Sequence, residues 1–524
     1  MVTIIICSLL GVFASLFAFI LYKIVIYPKI RLMGIKQKYG EKIKVYFHPV
    51  EGIFAEFKEG LVKNNDSAYF LRNLHQKNLK AIAFNFGAKV GFSFLDCDLI
   101  KEVHQNHEAF QKVDASMAIT FLLGNSMLYA NGKQWQRMRH FFGKSFHFQE
   151  VKSYLPNIKD ICSNIFGDIK NHLKDGQQQE INVVQICEKV TSEIVFRSFF
   201  GSTCQNLYIT NSQGKQIPIG EELVSAIMDS LQLFFIDKIS LLKWIFFDKK
   251  GYEFLLTKNE KELKNRLITI RQSCLEVIFN RKSQLVKDIK QAKNNLLDQY
   301  LIEIIKNQNN YMTYDAIVDN FLGLFFAGTD TTGNMTGVAL YYLSRNPEIQ
   351  REARDEIINL LSKRSNSNNP EELFKSFSFE DISELNLLNG ILKESLRLIP
   401  PAIDVFPRFA NRNVKIGEFE IKKGDVVSTH FIYNQLNPDI FAEPEKFNPQ
   451  RWMNTKEQFN FTPFSMGPRK CIGQHLAMIE GKSMLTYILL NFEILQNYQQ
   501  EVVKEFKIIY GFKYDDLVFF KRRN

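Results

Sequence analysis

The chain has no Cys-x-x-Cys pair, and its 7 cysteines are odd in number with no repeated spacing. That excludes a disulfide framework and a zinc site as organising features. Cys7, Cys97, Cys162, Cys187, Cys204 and Cys274 read as small buried hydrophobes, which leaves Cys471. No G-x-G-x-x-G fingerprint is present, so no dinucleotide site is built in. No basic stripe with interleaved aromatics is present either, and nucleic acid is not an expected partner despite the net charge of +10. The charge suits anionic lipid or an acidic protein partner, and by itself suits an ordinary solvated surface equally well. Internal repeats are absent, and no proline cluster follows the N-terminal apolar run.

What is present is apolar mass: 45% hydrophobic residues, 13% aromatic, with 47 phenylalanines. This is enough for one large core. Residues 1–22 carry no charged side chain. At ~1.5 Å per residue such a helix just crosses a ~30 Å hydrocarbon layer. The basic n-region and small-residue cleavage site of a secretory signal are missing. The expectation is a signal-anchor over 1–22, with a buried core helix as the other reading. A basic linker, 23–39, carries Lys23, Lys29, Arg31, Lys36 and Lys38, which place the body, 40–524, on the cytoplasmic side.

Helices dominate the rest, with a minor sheet. Strands are expected over Ala81–Phe86 and Val90–Phe94 around a Gly87 turn, with Asp96 capping the next helix. Residues 150–200 and 258–306 read as amphipathic helices, 205–219 as a loop, and 363–370 as a polar linker. Lys422–Lys423–Gly424 is expected to turn a small hairpin. Tyr314 to Asn346 is the longest helical run, closed by Pro347 and apolar on every face at its centre. Such a helix belongs inside the domain, so Asp330, Thr331 and Thr332 at its centre call for an explanation. By themselves these residues leave open a polar notch whose hydroxyls bond i−4 carbonyls.

The segment around the last cysteine reads Phe464-Ser-Met-Gly467-Pro-Arg469-Lys-Cys471-Ile-Gly473. It resembles the haem-binding loop of the cytochrome P-450 superfamily. The resemblance implies that Cys471 is the axial thiolate of haem b and that Phe464 shields it. Gly467 and Gly473 would let the backbone turn beneath the macrocycle, Arg469 would bond a propionate, and Ala477 would keep the next helix close. Taken alone, a buried structural cysteine before a helix remains possible.

Further segments carry the same resemblance in order over residues 40–515. Glu394 and Arg397 in KESLRLIPP, with Arg451 in FAEPEKFNPQRW, resemble the family's buried ion network behind the thiolate loop. Trp135 and Arg139, at i and i+4, resemble a propionate-binding pair, and Arg408 resembles the basic residue that reaches a propionate from the sheet. Ala327-Gly328-Thr-Asp330-Thr331-Thr332 resembles the oxygen-activation motif. There Gly328 would let dioxygen and haem approach a locally opened, π-type helix, and Asp330 and Thr331 would relay protons. Gln435-Leu436-Asn437-Pro438 departs from the His-Arg-Asp often found there, which is expected to alter a surface contact.

The implied protein is a single large, mainly helical catalytic domain with minor β structure and an N-terminal transmembrane helix. The implied activity is insertion of one atom of dioxygen into an apolar small-molecule substrate, the other leaving as water. Electrons would come from an NADPH-dependent flavoprotein reductase, docked on Lys133, Arg137, Lys144 and Lys470, at the endoplasmic reticulum membrane. The substrate pocket is expected from 110–128, 220–245, 321–331 and 399–406. An isomerase or dehydratase acting on peroxides, a haem sensor without turnover, and a haem-free scaffold are the competing readings.

Overall fold

The computed structural model describes residues 2–523 apart from 50, 75–77, 113–122, 175, 202–207, 211–213, 236, 238, 240–242, 244–253, 308–311, 404–406, 454–460, 507–508 and 514–517. Much of the expected substrate lining in 110–128, 220–245 and 399–406 therefore lies outside the described residues.

Helix α1 (Val2–Leu21) runs through a π-helical turn, Tyr22–Ile26, into α2 (Tyr27–Tyr39). The run has a window of mean hydropathy 2.1 with none of it buried, and is long and apolar enough to cross a membrane. The expected linker 23–39 is instead a helix docked on the domain. Leu32 and Tyr39 are buried. Arg31 grips the Asp425 carboxylate with both terminal nitrogens, and Lys38 pairs with Glu420 at 2.6 Å. Lys36 donates to the carbonyls of Gly40 and Ile43 at 2.8 and 3.0 Å. Arg31, Lys36 and Lys38, expected in a basic linker, thus hold α2 in place.

The main sheet is six-stranded in the order β1-β2-β3-β11-β8-β4, with β1 Ile43–Tyr46, β2 Ala81–Phe86, β3 Lys89–Phe94, β4 Phe110–Lys112, β8 Arg408–Ala410 and β11 Val426–Thr429. β2 and β3 form the expected hairpin around Gly87, whose φ of 57° is the left-handed turn that glycine tolerates. β2 is buried almost throughout, as a strand covered on both faces should be. Asp96 caps α3 (Cys97–Gln105) by accepting the N–H groups of Asp98 and Leu99.

Three expectations give way. The stretch 205–219 contains the hairpin β6 (Tyr208–Thr210) and β7 (Gln216–Pro218) rather than only loop. Helix α10 (Pro347–Ser365) extends into the expected linker, leaving only 366–369 before the next helix at Pro370. The Lys422–Gly424 turn makes no hairpin. The strand before it, β10 (Phe419–Ile421), pairs with β9 (Val414–Ile416), while β11 after it pairs with β3 and β8.

The helical body is centred on α9 (Tyr314–Arg345), buried along most of its 32 residues. Pro347 both ends that run and opens α10, since proline is tolerated in a first turn. Across α9 lies α6 (Val183–Phe200), and glycines set how near it comes. A β-carbon at Gly333 would meet the Glu188 backbone nitrogen at 2.8 Å, and one at Gly337 the Val184 α-carbon at 3.0 Å. Around this pair pack α4 (Gly132–Gly143), α5 (Leu155–His172), α7 (Ile219–Phe235), α8 (Lys258–Lys287), α11 (Asn386–Leu398) and α12 (Gln474–Asn491). Cys162, Cys187 and Cys274 are buried among them and Cys97 is half-buried, whereas Cys471 is exposed.

Candidate functional site

The cysteine loop is a self-bonded turn. Ser465 N–H donates to Thr462 O at 2.9 Å, Lys470 N–H to Gly467 O at 3.1 Å and Cys471 N–H to Phe464 O at 2.9 Å. Ser465 and Gly467 take left-handed φ values of 62° and 71° to close it. At Gly467 a β-carbon would stand 3.1 Å from the His104 carbonyl, so the loop lies directly against α3. Helix α12 follows at once, with Ala477, half-buried in its first turn, donating to Gly473 O at 2.9 Å.

Cys471 is solvent-accessible, yet burial is the main influence on its thiol and raises its pKa. The two facts agree if the sulfur lines an enclosed space within the molecule. Opposing the burial are the Gly473 N–H, which bonds to sulfur, the nearby charge of Arg139, and the Gln474 N–H, which also bonds to sulfur. Each favours the thiolate. Gly473 has open space where a side chain would stand.

Arg139 from α4, Arg408 from β8 and Arg469 from the loop converge nearby. Arg469 lies 4.4 Å from the Trp135 ring centroid and donates to Ala130 O at 2.8 Å. Its pKa falls to about 10, through burial first and then through Arg408 and Arg139. Among the described residues neither Arg139 nor Arg469 meets a carboxylate at ion-pair distance, and Arg469 Nε is buried without a partner. Crowded cations of this kind call for an anionic guest. Trp135 is buried, with His107 edge-on at 5.7 Å.

Behind the loop, Glu394 and Arg397 of α11 are fully buried and paired at 2.8 Å. Arg451 Nε reaches the same carboxylate at 3.0 Å, and Trp452 Nε1 at 2.8 Å. Arg397 also donates to the carbonyls of Gln435 and Pro444 at 2.8 and 2.6 Å. Gln435 is itself buried, so the departure in that segment falls on an interior contact and not on the surface.

At the middle of α9, Ala327 is exposed and Gly328, Asp330 and Thr331 are half-exposed, although the flanking turns are buried. A window in a buried helix means that it borders an internal cleft. One expectation fails here. The helix stays α-helical through Gly328 with no π-type opening. A β-carbon added at Gly328 would stand 3.0 Å from Val195 Cγ2 of α6, so the glycine also lets the two helices pack closely. Thr331 Oγ1 donates to Ala327 O at 2.7 Å, the i−4 bond that the sequence left open. Burial alone raises the Asp330 carboxyl to about 6.

Two neighbours escaped the sequence reading. His104, held at about 3 by burial, Arg408 and Lys112, approaches Thr429 Oγ1 at 3.3 Å with its Nε2. Thr191 of α6 donates to Thr329 O of α9 at 2.9 Å. Neither lies in a local motif, and only the packing of distant segments reveals them.

A family profile described as Cytochrome P450 matches residues 46–511. The chain belongs to the cytochrome P450 family. It is accordingly a haem-dependent P450 monooxygenase. Curated P450 relatives include Cytochrome P450 CYP72A219 of Panax ginseng, 26% identical with 87% of this chain and 86% of the relative covered. Also similar are 7-deoxyloganic acid hydroxylase of Catharanthus roseus, 28% identical over 77% and 75%, and cytokinin hydroxylase of Arabidopsis thaliana, 28% identical over 74% and 71%. The crystal structure of the cytochrome P450DA heme domain shares the fold, with a TM-score of 0.70 at 18% identity, covering 92% of this chain and 97% of that one. The interior-facing thiol, the basic cluster without carboxylate partners at Arg139 and Arg469, and the window in α9 suit a haem between α9 and the Cys471 loop.

Proposed function

We propose that Cys471 ligates the haem iron, that Arg139, Arg408, Arg469 and Trp135 hold the propionates, and that Asp330 and Thr331 deliver protons on the distal side. When bound, haem supplies dioxygen activation, and the thiolate is suited to that task as a strong electron donor. The protein's own part is to favour the ionised sulfur against its burial through the Gly473 and Gln474 N–H groups and Arg139, and to shield it beneath Phe464. The Glu394–Arg397–Arg451 network holds the loop in register and moves no proton. The observation that carries this reading is the Cys471 thiol beside Arg139, with Arg469 crowded against both Arg139 and Arg408.

The substrate is an apolar organic molecule, and hydroxylation is the favoured outcome, in keeping with the hydroxylases among the relatives. Electrons come from an NADPH-dependent flavoprotein reductase docked on Lys133, Arg137 and Lys470, which are exposed; Lys144 pairs with Glu303 at 2.8 Å and contributes less. The helical run at the N-terminus anchors the protein in the endoplasmic reticulum membrane with the domain on the cytoplasmic side. Reconstitution with a P450 reductase in lipid, following NADPH, oxygen and product, tests the whole reading. Turnover without external electrons would favour a peroxide isomerase instead.

A further inference from the structure

A cavity of about 760 Å³ opens where the C-terminus of α9 meets α10 and the C-terminal sheet of β12 (Phe492–Gln496), β15 (Val518–Arg522) and β5 (Gln178–Ile181). Ser344 and Arg345, which line it, lie ~20 Å along α9 from Thr331, so the cavity is separate from the haem cleft. Four arginines face into it, Arg345, Arg351, Arg354 and Arg523, against two carboxylates, Asp355 and Glu493. Glu493 is engaged by Lys521 at 3.3 Å. Arg523 is tied to Phe492 O at 2.9 Å, and Arg345 lies over the Tyr341 ring at 3.8 Å.

Arg351 and Arg354 differ from these two. Among the described residues neither forms an ion pair or hydrogen bond, and Arg354 Nε is buried without a partner. A buried guanidinium N–H is ordinarily satisfied, because leaving it bare forfeits its hydration. Both stand on the face of α10 that Pro347 and Gln350 share, at i, i+3, i+4 and i+7. Of the first turn of this 19-residue helix only Pro347 and Gln350 line the cavity; proline has no N–H and the Gln350 N–H donates to Asn346 O at 3.0 Å, so the guanidinium groups are what the helix presents there. Beside it Tyr498 is 85% exposed, an aromatic ring with little packed against it.

Paired guanidinium forks match phosphate, and the open ring offers a flat surface to an organic group. The concavity has the size of a small-ligand site, while Asp355 and Glu493 would repel an extended polyanion. We infer that this cavity binds a small organic phosphate, with the phosphate on Arg351 and Arg354 and the carbon body against Tyr498. Such a ligand would bridge α9, α10 and β12. β12 directly continues α12, whose start carries the cysteine loop, so occupancy stiffens both walls of the haem cleft.

The test uses full-length holoprotein in detergent, titrated with AMP, with inorganic phosphate, and with chloride at matched ionic strength. Calorimetry and thermal loss of the haem absorption band are the readouts. Saturable stabilisation is expected with AMP, weaker stabilisation with phosphate, and none with chloride. Arg354→Gln should weaken AMP about tenfold or more, as loss of a charge-assisted contact does. Arg351→Gln alters an exposed side chain and gives a second reading should Arg354→Gln fail to fold. Tyr498→Ala should remove the advantage of AMP over phosphate. Titrations indistinguishable from chloride, unchanged affinity in Arg351→Gln, or AMP binding no better than phosphate to the parent protein would each overturn the assignment.

Discussion

The indole N–H of Trp452 donates to Glu394 Oε2 at 2.8 Å, linking residues 58 apart in the chain. Arg397, Arg451 and the Asn448 N–H take the remaining acceptor sites of that carboxylate. A fully buried carboxylate is tolerable only when its lone pairs are satisfied in this way. The indole therefore completes the network, and it ties α11 to the segment leading to the cysteine loop.

Removing the charge and removing the indole should differ in size. Glu394→Gln leaves Arg397 buried without a counter-charge and should cost roughly 3–5 kcal/mol, with little haem retained. Trp452→Phe deletes one hydrogen bond to a charged acceptor and should cost roughly 1.5–3 kcal/mol. Denaturant unfolding and haem content per chain measure both. If Trp452→Phe is neutral, the indole is packing and nothing more.

Cys471→Ser should abolish the red-shifted absorption band that ferrous thiolate-ligated haem gives with carbon monoxide. The other described cysteines, Cys97, Cys162, Cys187 and Cys274, have thiols pushed well up by burial and lack the two backbone N–H bonds that oppose burial at Cys471, so none is expected to substitute. Persistence of the band in the serine variant would remove Cys471 as the ligand.

Local motifs made the segments of the candidate site legible, because a cysteine loop, a Glu-x-x-Arg pair and a polar notch each sit within a few residues. What stayed hidden depends on partners far away in sequence. β10 and β11 flank one turn but join different sheets, and nothing local to Lys422–Gly424 signals that. The strands of the 208–218 hairpin are three residues each, too short to show alternation. The direction in which Gly328 lacks a side chain depends on α6, and the burial of Gln435 depends on Arg397 reaching its carbonyl. The docking of α2 was hidden because its lysines and arginine read as a basic linker after the apolar run, and their partners Asp425 and Glu420 lie far along the chain.

That docking changes how the N-terminus should be cut. Removal of residues 1–21 should loosen membrane attachment and leave the haem spectrum intact. Removal through Tyr39 should also destabilise the domain, since it strips Leu32 and Tyr39 from the sheet and leaves the buried Asp425 without Arg31. Burial of two such side chains is worth ~3–6 kcal/mol before any ion-pair loss. Flotation in a lipid gradient and thermal unfolding of both truncations decide this. Equal stability would mean that α2 merely rests on the sheet.

Asp330 and Thr331 can be separated by pH. Burial raises the Asp330 carboxyl from 3.8 to about 6. Between those values the folded protein holds a proton that the unfolded chain has released, so stability falls as pH rises from about 4 to 6. The neutral-pH penalty is on the order of 3 kcal/mol. Asp330→Asn should relieve it, giving a protein that is more stable at neutral pH but whose stability is flatter across that window. The same variant should lose turnover, by ~10²–10⁴-fold if the carboxyl supplies protons as a general acid. Thr331→Ala should behave differently. Its hydroxyl bonds Ala327 O within the helix, so stability changes little. NADPH should still be consumed, with more of it appearing as peroxide and less as product. Product per NADPH equal to the parent would leave Thr331 with its helix bond alone. Asp330→Asn that is less stable at neutral pH would show that the carboxylate is compensated and that its raised pKa does not hold in the intact protein.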